Sequence, residues 1–179
     1  MGLMTQTPLG YALIGLALAE PQTGYALRKV FEASPLGVFS SSPGSIYPAL
    51  SKLVKAGLLD QRPPAAGGKL LYHATENGRQ ALSDWLETPI TVEEVAREVD
   101  LVLLRFAFLQ NFPDPALTRR FLHSFENAVR THLESLTAYL SSPAGQALSD
   151  HGRWAMQNGI LGYRTHLSWV EEVLKEIAQ

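Results

Sequence analysis

The 179-residue sequence contains no cysteine, which excludes a disulfide framework, a thiol nucleophile and cysteine-based zinc or iron–sulfur sites. Its five histidines show no His-x-x-x-His pair or other close metal-ligand spacing, so we expect neither a metal nor a cofactor. A glycine-rich phosphate loop and a Gly-x-Ser-x-Gly motif are also missing. The sequence therefore offers no candidate catalytic residue, and we do not expect an enzyme. The lack of cysteine is typical of a cytoplasmic protein.

Long hydrophobic runs are lacking as well. The apolar run Leu9 to Ala19 is shorter than the ~18 residues that a membrane span needs, and no Lys or Arg precedes it as in a signal peptide. Gln6 stands where a myristoylation signal has Ser or Thr. With 46% hydrophobic and 18% charged residues, the composition predicts one or two small globular domains without a membrane partner.

Apolar spacing divides the first half into helices and one hairpin. It predicts a helix ended by Pro21, a second over residues 24–33 capped by Thr23, and a third ending near residue 56. Two short strands, 58–62 and 70–74, follow with a long loop between them. A fourth helix begins after Thr75 and ends near residue 88.

Pro48 leaves two starts of the third helix open, at Ser42 or at Ser45. In the interior of a helix a proline costs about 3 kcal/mol. If the helix begins at Ser45 instead, Pro48 falls in the first turn and most of that cost disappears.

No strand-like segment follows Pro89, and helical stripes continue to the C-terminus. We therefore predict a mainly α-helical protein with two domains, residues 1–88 and 89–179. The last stripe alternates by four and three residues: Met156, Ile160, Tyr163, Leu167, Val170, Leu174 and Ile177. This spacing fits a dimer interface or an intramolecular bundle seam. We favour the dimer, because the first helix is apolar nearly all round and needs cover beyond its own domain.

Three helices followed by a two-stranded hairpin is the order of a winged helix-turn-helix domain, whose third helix enters the DNA major groove. A step of 100° per residue places the leucines of the third helix on one side and Ser51, Lys52 and Lys55 on the other. This outward face carries no carboxylate. Hydroxyl and ammonium groups are suited to contacts with phosphates and base edges.

Charge is divided between the two halves, although the whole chain has a net charge of −2. Residues 21–72 hold six basic and two acidic side chains, whereas residues from 89 onward hold eight basic and eleven acidic ones. The positive charge therefore lies in the winged-helix half, as expected if that half binds nucleic acid.

Several segments of the first half follow one known pattern: Gly24-Tyr25-Ala26-Leu27, Ser42-Pro43-Gly44-Ser45-Ile46-Tyr47-Pro48-Ala49-Leu50, Gly57-Leu58, and Tyr72 with Thr75-Glu76-Asn77-Gly78-Arg79. The C-terminal run from Tyr163 to Leu174 continues it. Together these segments resemble the PadR-like family of bacterial transcriptional regulators over nearly the whole chain. One departure lies in the wing, where Gly68-Lys69 replaces an Arg-Lys pair that family members often carry.

The resemblance implies a homodimer, usually a repressor, that binds double-stranded DNA with Tyr47 and Tyr72 on the binding surface. We predict an inverted-repeat operator with half-sites about one helical turn apart, or a multiple of it. The predicted DNA-binding residues are Arg28, Ser42, Ser45, Tyr47, Ser51, Lys52, Lys55, Lys69 and Tyr72. The alternative is a winged-helix protein-interaction module without DNA binding, which the near-neutral total charge favours.

Some members of the family bind flat aromatic effectors, so a pocket near Phe106 and Trp154 is a second expectation. Aromatic side chains at helical spacing are more often part of the core. The sequence therefore leaves two interpretations of these residues open, an effector site and ordinary packing.

Overall fold

The computed structural model describes residues 6–39, 43–65 and 67–178. These residues form a mainly α-helical fold, which confirms the predicted class. The helices are α1 (Pro8–Ala19), α2 (Gly24–Ala33), α3 (Ile46–Lys55), α4 (Glu76–Glu87), α5 (Val92–Ala107), α6 (Pro115–Ser141), α7 (Pro143–Gln146) and α8 (Asp150–Glu176). The strands β1 (Leu59–Arg62) and β2 (Leu71–Ala74) pair in antiparallel fashion. Among the described helices, none is both long enough and apolar enough to span a membrane.

Two compact units make up the chain. Unit 1 comprises Met1–Thr88 and Leu103–Pro113, and unit 2 comprises Pro89–Val102 and Asp114–Gln179. This division differs from the predicted boundary, which placed every residue after 88 in the second domain. Helix α5 contributes to both units, and its backbone leaves helical geometry at Glu98.

Threonine hydroxyls fix the starts of the first two helices. Thr7 Oγ1 accepts a hydrogen bond from Gly10 N at 3.2 Å, and Thr23 Oγ1 accepts one from Ala26 N at 3.1 Å. These are N-caps, which satisfy backbone donors that no earlier turn can pair. The start of α3 is at Ile46, so Pro48 lies in the first turn, where a proline is tolerated.

Unit 1 is built around α1, which is buried along most of its length. The segment 103–113 supplies part of the cover that so apolar a helix needs. A Cβ on Gly15 would stand 2.3 Å from the Phe108 ring, so glycine is required for Phe108 to pack there. Phe108 is itself buried. Periodicity alone does not reveal this contact, which is why the predicted boundary differs.

The core of unit 2 lies between α6 and α8, with the first part of α5 against them. Phe125 meets the Trp169 ring edge to face at 6.1 Å, and His132 meets Tyr163 in the same way at 4.7 Å. The hydroxyl of Tyr163 donates to the carbonyl of Val95 at 3.2 Å. Burial lowers the pKa of His132, which favours the neutral ring in this core.

The predicted dimerisation stripe of α8 is turned partly into this core. Val170 is fully buried and Ile160 is 7% exposed within the single chain. For these two residues the structure matches the intramolecular alternative. The other five residues of the stripe, Met156, Tyr163, Leu167, Leu174 and Ile177, are half-buried.

Candidate nucleic-acid interface

Helix α3 presents a cationic face to solvent. Its buried residues are Ile46, Leu50 and Leu53, which hold the helix against the rest of unit 1. Ser51, Lys52 and Lys55 are all exposed, as the helical angles predict. Within the described ranges, neither lysine side chain makes an ion pair or hydrogen bond. Both ammonium groups are therefore available to an anionic partner.

A groove of about 670 Å³ runs beside this face, between α3 and the start of α1. Lys52 and Lys55 line one wall. Among the described residues, those that line the groove carry no carboxylate: Gln6, Thr7, Leu9, Gly10, Ser45, Pro48, Ala49, Lys52, Leu53, Lys55 and Ala56. The basic character of α3 thus extends into the concave surface next to it.

Tyr47 and Tyr72 converge on Gly24, the first residue of α2. A Cβ at Gly24 would stand 3.0 Å from Tyr47 Cε1 and 3.3 Å from Tyr72 Cε2. Tyr47 is 46% exposed, and Tyr72 is half-buried. The close approach of the two rings to Gly24 brings α2, α3 and the wing together at one point.

The wing is fixed to the rest of unit 1 through Tyr72. Its backbone N donates to Gln22 O at 2.8 Å, and it pairs with Gln61 across the hairpin. Arg62 of β1 contacts the Asp60 carboxylate, which offsets its charge. Lys69, near the tip of the hairpin, is exposed. The wing thus carries one exposed lysine, and its contact with DNA stays a prediction.

Three further residues were predicted to bind DNA: Ser45, Ser42 and Arg28. Ser45 is the N-cap residue of α3. Ser42 lies outside the described residues. Arg28 is on α2, where its Nε lies 3.2 Å from the Glu32 carboxylate. Arg28 is therefore already paired within the chain, unlike the two lysines of α3.

Sequence reasoning missed the surroundings of Arg28. Tyr25 is 56% exposed, and the Arg28 guanidinium and the Lys29 ammonium lie 5.5 and 5.8 Å from its ring centroid. The spacing of three and four residues along α2 contains this signal, since residues so spaced are neighbours on a helix. We call Tyr25, Arg28, Lys29 and Glu32 the α2 patch.

The two residues predicted for an effector pocket are not in the same unit. Phe106 is half-buried in the part of α5 that belongs to unit 1, whereas Trp154 is 57% exposed on α8 in unit 2. Trp154 meets the His151 ring edge to face at 5.1 Å. Neither residue lines the groove beside α3 or the groove of about 380 Å³ between α6 and α8.

In unit 1 the helices α1, α2 and α3 are followed by a two-stranded wing, and α3 presents an exposed cationic face. This order defines a winged-helix protein. Residues 13–84 match the profile of the transcriptional regulator PadR-like family. The match covers the winged-helix part of the chain, where the sequence motifs predicted a resemblance to this family.

Known relatives match over nearly the whole chain. The negative transcriptional regulator PadR of Bacillus subtilis (strain 168) is 25% identical, with 94% of this chain and 97% of PadR covered. This chain is 27% identical to the protein in the crystal structure of Bacillus subtilis PadR in complex with operator DNA. The match covers 94% of this chain and 98% of the PadR chain, with a TM-score of 0.40. The crystal structure of Bacillus subtilis PadR in complex with p-coumaric acid matches with 22% sequence identity. That match covers 96% of each of the two chains, with a TM-score of 0.44.

Proposed function

We propose that this chain is a homodimeric, sequence-specific DNA-binding repressor that acts in the cytoplasm. Each copy places α3 in a major groove of an inverted-repeat operator, with the wing against the flanking backbone. The match of residues 13–84 to the PadR-like family supports this function, and so does the similarity of the chain to a negative transcriptional regulator of Bacillus subtilis. The proposal assigns no catalytic step to the chain.

The observation that carries the proposal is the exposed face of α3. Lys52 and Lys55 are three residues apart, so their ammonium groups project from neighbouring positions on one side of the helix. Ser51 adds a hydroxyl to the same exposed surface. Lysine and serine side chains bind phosphates and base edges, and a face without carboxylates does not repel the DNA backbone.

Replacement of both lysines, Lys52→Ala with Lys55→Ala, is expected to weaken DNA binding at least about ten-fold and to flatten its salt dependence by about two units of slope. Each lysine that contacts a phosphate releases about one counterion on binding. The measurement is titration of a labelled duplex from the region upstream of the gene, over a series of salt concentrations. Lys175→Ala is the matched control, because Lys175 is an exposed lysine in the last turn of α8 in unit 2.

If the double variant binds like the wild type, α3 is not the DNA-binding helix. If the wild type binds the duplex with no dependence on salt, or not at all, the alternative of a protein-interaction module is favoured. Thermal unfolding of each variant checks that the substitutions leave the fold intact.

The dimer that we propose uses the outer side of α8, because Ile160 and Val170 are already buried within one chain. Trp154 and Leu161 are exposed by 57% and 58%, and their spacing of seven residues places them close together on the helix. They point away from the buried stripe by helix geometry. Two large apolar side chains on an exposed helix face are typical of an interface.

Leu161→Asp is expected to convert the dimer into folded monomers, because the carboxylate would be buried without a partner at the interface. Analytical ultracentrifugation measures the mass, and far-ultraviolet circular dichroism measures the helix content. Leu70→Asp, at an exposed leucine of unit 1, is the matched control. A Leu161→Asp protein that stays dimeric contradicts this choice of interface.

The expected aromatic effector stays a prediction. Phe106 and Trp154 belong to different units, and Trp154 is already assigned to the proposed dimer interface.

A further inference from the structure

The α2 patch holds two cations on one carboxylate. Lys29 Nζ lies 2.8 Å from one oxygen of Glu32, and Arg28 Nε lies 3.2 Å from the other. Each Glu32 oxygen thus faces a different cation. The hydrogen bond from Lys29 lowers the pKa of the Glu32 carboxyl, so the carboxylate is ionised near neutral pH.

The patch lies on the helix that precedes α3. In a helix-turn-helix unit the first helix crosses the DNA backbone while the second lies in the groove. Gly24, at the start of α2, meets Tyr47 of α3 and Tyr72 of the wing. Arg28 is one turn further along, about 40° around the helix from Gly24, and Lys29 is a further 100° away. Arg28 therefore lies near the side of α2 that meets α3 and the wing, and Lys29 lies further round the helix.

The chemistry of the patch matches a phosphate group. A phosphate, like a carboxylate, offers two oxygens to neighbouring guanidinium and ammonium groups. The exposed Tyr25 side chain, whose ring lies against both cations, carries a hydroxyl that can also donate. The ion pairs with Glu32 are partly exposed, and pairs of this kind hold their partners only weakly. The two cations can therefore exchange Glu32 for a stronger anion.

We propose that Tyr25, Arg28 and Lys29 form a second phosphate-binding surface for duplex DNA, and that Glu32 is an internal competitor which occupies it in the free protein. The inference rests on the proposed function, because it assigns a further contact to the same DNA-binding unit. Glu32 lowers the affinity in two ways. It neutralises the two cations, and its carboxylate repels the approaching backbone.

Glu32→Gln tests this inference directly. We expect the variant to bind the upstream duplex about two- to five-fold more tightly than the wild type at low salt. We also expect its salt dependence to be steeper by about one to two units of slope, because Arg28 and Lys29 now release counterions from the DNA. Both quantities come from the salt titration that is used for the lysines of α3.

Glu126→Gln is a matched control within the same chain. Glu126 also lies between two basic side chains on one helix, with Arg130 at 2.6 Å and His123 at 3.5 Å, but it belongs to unit 2. Its substitution removes the same charge and is expected to leave DNA binding unchanged. A second variant combines Glu32→Gln with Arg28→Gln and Lys29→Gln, and we expect it to lose the whole gain in affinity.

The outcomes separate this inference from the proposed function. A wild type that needs Lys52 and Lys55 for binding, together with a Glu32→Gln variant of unchanged affinity and slope, overturns the α2 patch alone. A gain that Glu126→Gln reproduces, or that survives in the combined variant, also overturns it, because the gain is then an effect of net charge. A wild type that does not bind DNA overturns both.

Discussion

Replacement of Arg105 by alanine is expected to lower the free energy of unfolding of unit 1 by about 3–5 kcal/mol. Arg105 is 3% exposed, and its Nη2 donates to the carbonyls of Trp85, Leu86 and Thr88 at the end of α4. Its guanidinium also lies 5.2 Å from the centroid of the Trp85 ring. Without Arg105, buried carbonyls at the helix end lose a charged donor, and a cavity remains where the side chain was.

Urea denaturation followed by tryptophan fluorescence measures this loss. Arg105→Met fills most of the same volume without donors, so the difference between the two variants separates hydrogen bonding from packing. Arg97→Ala is the control, because Arg97 is an exposed arginine that pairs only with exposed Glu93 at 3.5 Å in the described ranges. Its substitution is expected to change stability by less than about 0.5 kcal/mol. An equally small effect at Arg105 contradicts the role described for it.

Gly78→Ala is the second large effect, with an expected loss of about 3 kcal/mol of stability. A Cβ on Gly78 would stand 2.1 Å from the carbonyl oxygen of Leu58, and backbone cannot move aside as a flexible side chain can. The contact is held by Thr75, whose Oγ1 accepts from Gly78 N at 3.0 Å and donates to Gly57 O at 2.7 Å. The substitution therefore pushes α4 away from the corner between α3 and β1.

Gly159→Ala makes the same chemical change at an exposed position of α8, where a Cβ would meet nothing within 4 Å. There we expect a gain of up to about 1 kcal/mol, because alanine loses less conformational entropy than glycine in a helix. Thermal unfolding of the two variants in parallel gives shifts of opposite sign. A Gly78→Ala protein as stable as the wild type shows that the corner accommodates a methyl group.

Local signals predicted most of the elements. Thr23 before α2 and Thr75 before α4 both cap their helices as expected, because capping depends only on the next three residues. The exposed face of α3 followed from the spacing of its leucines, because helix geometry fixes which side chains share a side. These features depend on neighbours along the chain, and a single sequence contains them.

Long-range packing could not be predicted in the same way. The assignment of residues 103–113 to unit 1 depends on Phe108 against Gly15 and on Arg105 at the end of α4, contacts between distant segments. The four-residue helix α7 is too short to show periodicity. The apolar stripe over residues 156–177 predicted a helix, and α8 lies there. An apolar stripe does not indicate whether it packs against the same chain or against a second copy.

The division of unit 1 along the chain limits how the winged helix can be expressed alone or fused to other proteins. Unit 1 is discontinuous in sequence, and the stretch that completes it arrives through a helix shared with unit 2. A fragment that stops at residue 88 loses Arg105 and Phe108 together, leaving the end of α4 and the surface at Gly15 uncovered. A junction after Pro113 therefore keeps unit 1 complete, but the part of α5 that belongs to unit 2 then stays with the N-terminal piece.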